Sequence, residues 1–441
     1  MRIGLVAMSG IRVCDEELLR LGLTLPGFVE RSKTIASLPS LALLTLAGMT
    51  PDRHEVEYVE VPDVAALDGV PGEFDLVAIS SYSAQIDEGY ELARRCKEAG
   101  MPVVMGGPHV SCVPEEAAQH CTSVVIGEGE LSWPDVLADC QKGRLKPAYG
   151  SLAQEFDLAH APMPAFELLD IEKYNRLTVQ TSRGCPHRCE FCAGSVLFGN
   201  RYRQKPADKV LAEIDRIFSI WEHPFIEFAD DNTFVDRAYW KRLLPRLRGR
   251  KMRWFTETDL SVSEDDELLE LMRETGCAQV LIGLESPVEN GLRGLETRAD
   301  WKLKQWPKYK DAIRKIQSHG VSVNGCFIIG LDGHGPEVFD EVCEFVKEAE
   351  LYEVQVTLMT PFPGTPLYDR LRSEGRILRE GDWKKCTLFD VNFRPRDMTI
   401  EQLTEGFHEL VVKLYSEEFT TWRRGVFRRN LRKRGHGRVD A

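Results

Sequence analysis

The stretch 181–195, TSRGCPHRCEFCAGS, holds the residues with the clearest capacity for chemistry: Cys185, Cys189 and Cys192, spaced C-x3-C-x2-C. Three thiolates this close can bind three irons of a [4Fe–4S] cube and leave the fourth iron without a protein ligand. An open iron invites a small chelating ligand. Structural zinc is the main competitor, but it takes four closed ligands, often as two separated C-x2-C pairs, and no second pair is present. His187 lies within the loop as a candidate fourth ligand, and chance clustering is the bland alternative. Cys14, Cys96, Cys112, Cys121, Cys140, Cys277, Cys326, Cys343 and Cys386 show no such spacing and read as packing residues.

The elements that must position these thiols can be read from apolar periodicity. In the first third, short apolar runs at 3–6, 56–61, 76–80, 103–105 and 123–126 alternate with helical stretches such as 37–48 and 86–99. Strands interleaved with helices predict a parallel sheet wound by right-handed crossovers, a Rossmann-like domain over 1–150. Proline-spaced APMPAF falls in a linker over 151–175. The pattern restarts with strands at 177–180, 225–229, 253–256, 279–283, 321–329 and 353–359. About six β/α units predict a partial barrel over 176–375, short of a full eightfold one. A C-terminal extension over 376–441 carries one helix at 400–419 and then a basic tail from Arg423.

The 441 residues have a net charge of −13 and 43% apolar content, a balance that folds and that argues against a general nucleic-acid binder. No apolar run reaches the roughly 18 residues of a membrane span. The short apolar start MRIGLVAMSG suits a strand better than an export signal, which predicts a cytoplasmic protein with reduced thiols.

The triplet, with aromatic Phe191 before its last cysteine, resembles the signature of the radical S-adenosylmethionine (SAM) superfamily. The resemblance implies that SAM chelates the open iron through its amino and carboxylate groups. One electron from the reduced cluster then cleaves a carbon–sulfur bond, usually giving methionine and a 5′-deoxyadenosyl radical.

Further stretches resemble the family in the matching order. EFADDNTF at 227–234 ends the second barrel strand, which implies Ala229, Asp230 and Asp231 as candidates for the SAM amino group. WFTET at 254–258 implies Glu257 near the ribose. IGLES at 282–286 implies Gly283 for close approach and Glu285 for capping polar groups at the barrel mouth. Taken singly, an acidic residue after a strand is more often a helix N-cap. Loops at the C-terminal strand ends of a barrel nevertheless converge on one mouth.

In the first domain, Ser80 and Ser81 follow the third strand, Gly106 and Gly107 the fourth, and Gly127 and Gly129 the fifth. A glycine pair after a strand is usually a tight turn. Together these positions resemble the cobalamin-binding domain fused ahead of many radical SAM enzymes, where they line a groove for the nucleotide tail. The histidine of D-x-H-x-x-G, which ligates cobalt in the best-known B12 domains, is missing after the first strand. His54 reads as a surface residue and His109 as a loop residue. Cobalamin binding and a vestigial, structural domain both remain open.

WKKCTLFDVNFRPRDM at 383–398 resembles the C-terminal extension of cobalamin-type radical SAM enzymes, including those that methylate hopanoid lipids. The resemblance implies cobalamin-dependent C-methylation of a secondary metabolite or lipid, with a [4Fe–4S] cluster, SAM and cobalamin as cofactors and an external donor such as flavodoxin or ferredoxin. Cobalamin-independent cyclisation, rearrangement, C–S bond formation or aminocarboxypropyl transfer is the enzymatic alternative. RNA methylthiotransferases carry three further N-terminal cysteines and an RNA-binding domain, neither evident here. A metal-dependent or redox-sensing module is the non-enzymatic alternative. The Arg-rich tail with Trp422 and Phe427 fits either an anionic membrane surface or a solvated segment.

Overall fold

The computed structural model describes residues 1–10, 12–21 and 38–433. Ile11, the expected helix start at Ser37 and the end of the basic tail, including Arg438, lie outside the described residues. Six strands form the first sheet: β1 (Arg2–Met8), β2 (Glu55–Val61), β3 (Leu76–Ser80), β4 (Val103–Gly106), β5 (Ser123–Ile126) and β6 (Ala148–Gly150). All pair in parallel, in the spatial order β2-β1-β3-β4-β5-β6.

Parallel strands require crossovers, and these cover both faces of the sheet. Strand side chains alternate accordingly. Val6 and Met8 of β1 join a core with Leu92 of helix Ile86–Glu98, while Ile3, Leu5 and Ala7 join another with Leu43 of helix Leu41–Gly48 and Trp133 of helix Trp133–Gln141. The strand order reverses between β1 and β3, which opens a crevice at the carboxyl ends of the strands.

The second sheet contains β7 (Leu177–Val179), β10 (Phe225–Phe228), β11 (Arg253–Thr258), β12 (Cys277–Glu285), β13 (Ser322–Ile329) and β14 (Glu353–Leu358). A two-stranded ribbon, β8 (Ser182–Arg183) with β9 (Arg203–Gln204), flanks the cysteine loop. The six strands are parallel and neighbours in chain order, a partial (β/α)6 barrel. Ile226, Phe228, Trp254, Val280, Ile282, Val323, Phe327 and Val356 point outward into one continuous core beneath the surrounding helices. The alternate positions face the lumen.

The segment 151–175, expected as a linker, is packed. Phe166 is buried in the barrel core, the Ala165 N–H donates to Leu44 O at 3.0 Å, and the Tyr174 hydroxyl donates to Glu60 Oε1 at 2.7 Å.

The C-terminal segment departs from expectation. The single helix at 400–419 is two helices, Ile400–Leu414 and Glu417–Lys433. The break at Tyr415 lets its hydroxyl accept the Val356 N–H of edge strand β14, at 3.3 Å. Arg423, read as the start of a tail, is 0% exposed. Its guanidinium donates to Glu353 Oε1 (3.0 Å) and Leu414 O (3.2 Å) beneath the barrel. Upstream, the Trp383 indole donates to Glu116 Oε1 of the first domain at 3.0 Å, and the Asp390 carboxylate accepts the N–H groups of Cys14 and Asp15, each at 2.9 Å.

Candidate active site

The cysteine loop leaves β7, passes through β8 and returns along β9. Its start is held by two neighbouring carboxylates. Asp230, 3% exposed, accepts the N–H groups of Thr181 (2.7 Å) and Ser182 (2.8 Å) as well as the Thr181 hydroxyl. Asp231 Oδ2 accepts the Gly184 N–H at 3.1 Å. Gly184 has φ +83°, and a Cβ there would lie 2.4 Å from Arg201 O, so the return of the loop excludes a side chain. The far side is tied by Glu296, which accepts the N–H groups of Arg188 (3.0 Å) and Ala299 (2.7 Å), and by the Glu190 N–H donating to Leu295 O (2.9 Å).

Burial pushes the Cys185 thiol up to about 11 and Cys189 up to about 12, and it raises Cys192 as well. The charge of Cys192 adds to the rise at both Cys185 and Cys189, and that of Cys185 to the rise at Cys189. Loading a cluster therefore displaces protons from neutral thiols. His187 faces Asp259 Oδ2 at 3.2 Å, its ring tilted over Trp301 at 4.4 Å. Asp259 also accepts Asn232 Nδ2 (2.8 Å) and the Ser261 N–H (2.8 Å); together these bonds hold its carboxyl below the usual range despite burial. Among the described residues no three His, Cys, Asp or Glu side chains are arranged to hold a single ion. Three thiols on one short loop, with the histidine engaged elsewhere, fit a cluster held at three corners.

Inside the barrel, Glu227 (β10), Glu257 (β11) and Glu285 (β12) come from three successive strands. Arg176 Nε pairs with Glu227 at 2.6 Å, and Lys302 Nζ with Glu285 at 2.6 Å. Lys302 also donates to Gly283 O at 2.8 Å. A Cβ on Gly283 would lie 2.3 Å from Glu285 Oε1, so a side chain there would displace the pair from this position. Glu285 itself takes φ +63° beside the register shift between β12 and β13. Glu257 has no ion-pair partner among the described residues. Its side chain is open to water in the lumen while protein surrounds it, and burial, then the charges of Glu227, Asp231, Asp230 and Glu285, raise it to about 8. Ala229 extends the ladder, its N–H donating to Val179 O at 3.1 Å. Ala229 and the two aspartates thus abut the loop, whereas Glu257, Gly283 and Glu285 line the lumen.

Arg176, Lys302 and Cys326 were not singled out from sequence. The Cys326 thiol, in the lumen, is pushed up by burial and by Glu285 and Glu257. Only a strand-alternation count on β13 could have placed it there.

At the carboxyl edge of the first sheet, Ser80 pairs in register with Gly106. A Cβ on Gly107, at φ +99°, would lie 3.0 Å from Ser80 Oγ and 3.2 Å from Ser81 O. These four residues form one small-residue rim. Gly127, at φ +80°, donates its N–H to Ser111 Oγ at 3.0 Å, and a Cβ there would meet Ser151 O at 2.8 Å. Gly129 faces Leu46 instead of the rim. Tyr82, beyond Ser81, is 57% exposed, makes no hydrogen bond through its hydroxyl among the described residues, and feels the charge of Glu227 across the cleft. A bare rim with an open aromatic beside it fits a large flat cofactor.

His54 and His109 differ from expectation. His54 is 7% exposed, with its Nδ1 3.4 Å from the N-terminal amine. His109 is fully buried in helix Pro108–Cys112, its Nδ1 3.0 Å from Ser83 Oγ and its ring edge-on to Trp383. Both fill space that the chain must close.

Ion pairs join the cysteine ribbon to the edge of the first sheet. Arg203, in β9, holds Glu128 just after β5 (2.6 and 3.0 Å), and Arg183, in β8, pairs with Glu130. The cysteine ribbon is thereby fastened to the glycine-bearing edge of the first sheet.

Residues 179–346 match the family model of the radical SAM superfamily, 34–137 that of the B12-binding domain, and 365–438 a domain of unknown function. An uncharacterised methyltransferase of Synechocystis is 30% identical over 387 residues, covering 85% of this chain and 70% of that protein. Bacteriochlorophyllide d C-12(1)-methyltransferase of Chlorobaculum tepidum is 27% identical over 386 residues, covering 85% and 82%. The structure of the radical SAM methyltransferase TsrM from Kitasatospora setae, with cobalamin and a [4Fe–4S] cluster bound, shares the fold at TM-score 0.67 and 16% identity, covering 99% of both chains. A [4Fe–4S] cluster and SAM are the cofactors of this family, and the B12-binding match supports cobalamin. The chain belongs to the radical SAM superfamily and carries a B12-binding domain ahead of its barrel.

Proposed function

We propose that the protein is a cobalamin-dependent radical SAM C-methyltransferase that acts on an unactivated carbon of a small organic molecule, a secondary metabolite or lipid. The observation that carries this reading is the joining of the cysteine ribbon to the edge of the first sheet by Arg203–Glu128 and Arg183–Glu130, which sets the cysteine loop and the glycine–serine edge against one cleft. When bound, the cluster supplies the electron that cleaves SAM, and cobalamin supplies the carrier for the methyl group.

The chain's own residues bind, orient and shield. Cys185, Cys189 and Cys192 hold the cluster, and the carboxylates of Asp230, Asp231 and Glu296 fix the backbone of their loop. Ala229, Asp231 and Glu257 stand where SAM contacts the barrel, with Asp230 beneath them. Lys302 holds the Glu285 carboxylate against Gly283, whose missing side chain makes room for the pair at the barrel mouth. Ser80, Ser81, Gly106 and Gly107 take the cobalamin tail, with Gly127 and Gly129 shaping the neighbouring turn. The first domain (1–150), the packed connector (151–175), the barrel (176–375) and the first part of the extension (376–441), where Trp383 and Asp390 dock on the first domain, enclose the cleft, which keeps water from a reactive carbon radical. The electron comes from an external donor of the flavodoxin or ferredoxin type. No described helix is long and apolar enough to cross a membrane, and the cysteines within the described residues are free thiols. Both observations support a cytoplasmic setting.

The test is anaerobic reconstitution with iron, sulfide and hydroxocobalamin, followed by mass analysis of the nucleosides formed from SAM. Both 5′-deoxyadenosine and S-adenosylhomocysteine are expected. Deoxyadenosine without S-adenosylhomocysteine rejects methyl transfer and returns the reading to a cobalamin-independent reaction.

A further inference from the structure

Helix Glu417–Lys433 has two unlike faces. Val426, Phe427 and Leu431 are buried, Phe427 packs on Tyr352 at 4.9 Å, and Asn430 Nδ2 donates to Glu350 Oε2 at 2.8 Å. Arg423 and Arg424 hold Glu353. The opposite face carries Trp422, Arg428, Arg429, Arg432 and Lys433, all exposed. None of these four cations has an acidic partner among the described residues. Trp422, 38% exposed, stacks on Phe419 at 5.6 Å and 6°, and Lys347 Nζ lies 5.7 Å above the Phe419 ring. The acidic residues of the helix, Glu417 and Glu418, are confined to its first turn.

We propose that this face docks the protein on an anionic lipid surface. In a chain of net charge −13, an unpaired basic face is a local field that only a specific orientation presents. Long Arg and Lys side chains reach lipid headgroups while their stems cover apolar surface, and an indole lies well at the interface between headgroup and acyl chain. Each cation near an anionic leaflet adds to the attraction, and salt weakens it. The helix lies under the N-terminal ends of the barrel strands, where Glu353 begins β14, and the cysteine loop is at the opposite end. Docking therefore sets where the protein resides and leaves the mouth free.

The test is co-sedimentation of the full-length holoenzyme with vesicles of equal parts phosphatidylglycerol and phosphatidylcholine, and with vesicles of phosphatidylcholine alone. Binding to the first set only is expected, falling with added salt. The double variant Arg428→Glu/Arg429→Glu is expected to lower partitioning by about tenfold or more, and Trp422→Ala by about threefold. Iron content and the thermal midpoint of each variant, unchanged from the parent, show that it folds. Indifference to phosphatidylglycerol overturns the proposal, as does a folded charge-reversed variant that binds like the parent. Tighter binding to a single-stranded RNA oligomer than to the anionic vesicles also overturns it and assigns the face to nucleic acid.

Discussion

The Arg203 guanidinium grips the Glu128 carboxylate with two hydrogen bonds, Nη2 to Oε1 at 2.6 Å and Nη1 to Oε2 at 3.0 Å, and so couples the cysteine ribbon to the carboxyl edge of the first sheet. Both side chains are almost fully buried. Breaking a buried pair from one side leaves an uncompensated charge, so Arg203→Ala is expected to cost about 3 kcal/mol. Urea denaturation measures it. A loss below about 1 kcal/mol would show that Arg183, 3.5 Å from Glu128, suffices alone.

The three thiols act as a set. Alanine at Cys185, Cys189 or Cys192 is expected to abolish uptake of iron and sulfide on reconstitution. His187→Ala is expected to retain both, because its ring nitrogen is held by Asp259. Iron analysis after desalting separates the two outcomes, and a His187 variant that loses iron would restore the histidine as a ligand.

The surrounding protein, then the charges of Glu227, Asp231, Asp230 and Glu285, raise the folded Glu257 carboxyl from 4.5 to about 8. An acid whose folded value is raised contributes stability that is complete below pH 4.5 and is lost as pH climbs toward 8, because the unfolded chain then ionises more readily. Glu257→Gln is expected to flatten the pH dependence of the urea midpoint across that window. The parent and variant curves running parallel would place the pH dependence elsewhere.

Gly283→Ala is expected to push apart Glu285 and Lys302, since the new methyl would fall 2.3 Å from the carboxylate and 3.0 Å from the ammonium. Overpacking of this kind costs about 1–3 kcal/mol. On the proposed SAM site, it also weakens SAM retention in equilibrium dialysis, by about tenfold if the loss of binding is near 1.4 kcal/mol.

Gly107→Ala pairs an unfavourable φ of +99° with a Cβ 3.0 Å from Ser80 Oγ. It is expected to destabilise the protein by about 1–2 kcal/mol and to reduce cobalamin retained after gel filtration, read from the visible spectrum. Gly129→Ala, which meets only the flexible end of Leu46, is expected to retain cobalamin.

The barrel strands could be read from the chain because their outward residues are apolar and charged helical stretches separate the runs, and the thiols because their spacing is local. Strand β6, three residues long at Ala148–Gly150, is too short to show periodicity. Nothing local in the sequence marks Arg176 or Lys302, because their partners, Glu227 and Glu285, lie on other elements brought close only by the fold. Arg423 was misread for the same reason. A run of arginines has the composition of a solvated tail, and its partner Glu353 is 70 positions earlier.

The docking of Trp383 against Glu116, with the Asp390 carboxylate capping Cys14 and Asp15, has a consequence for biogenesis. During translation the amino-terminal sheet emerges without these partners, and Trp383 and Cys386 can join its core only after residues 383–390 have left the ribosome.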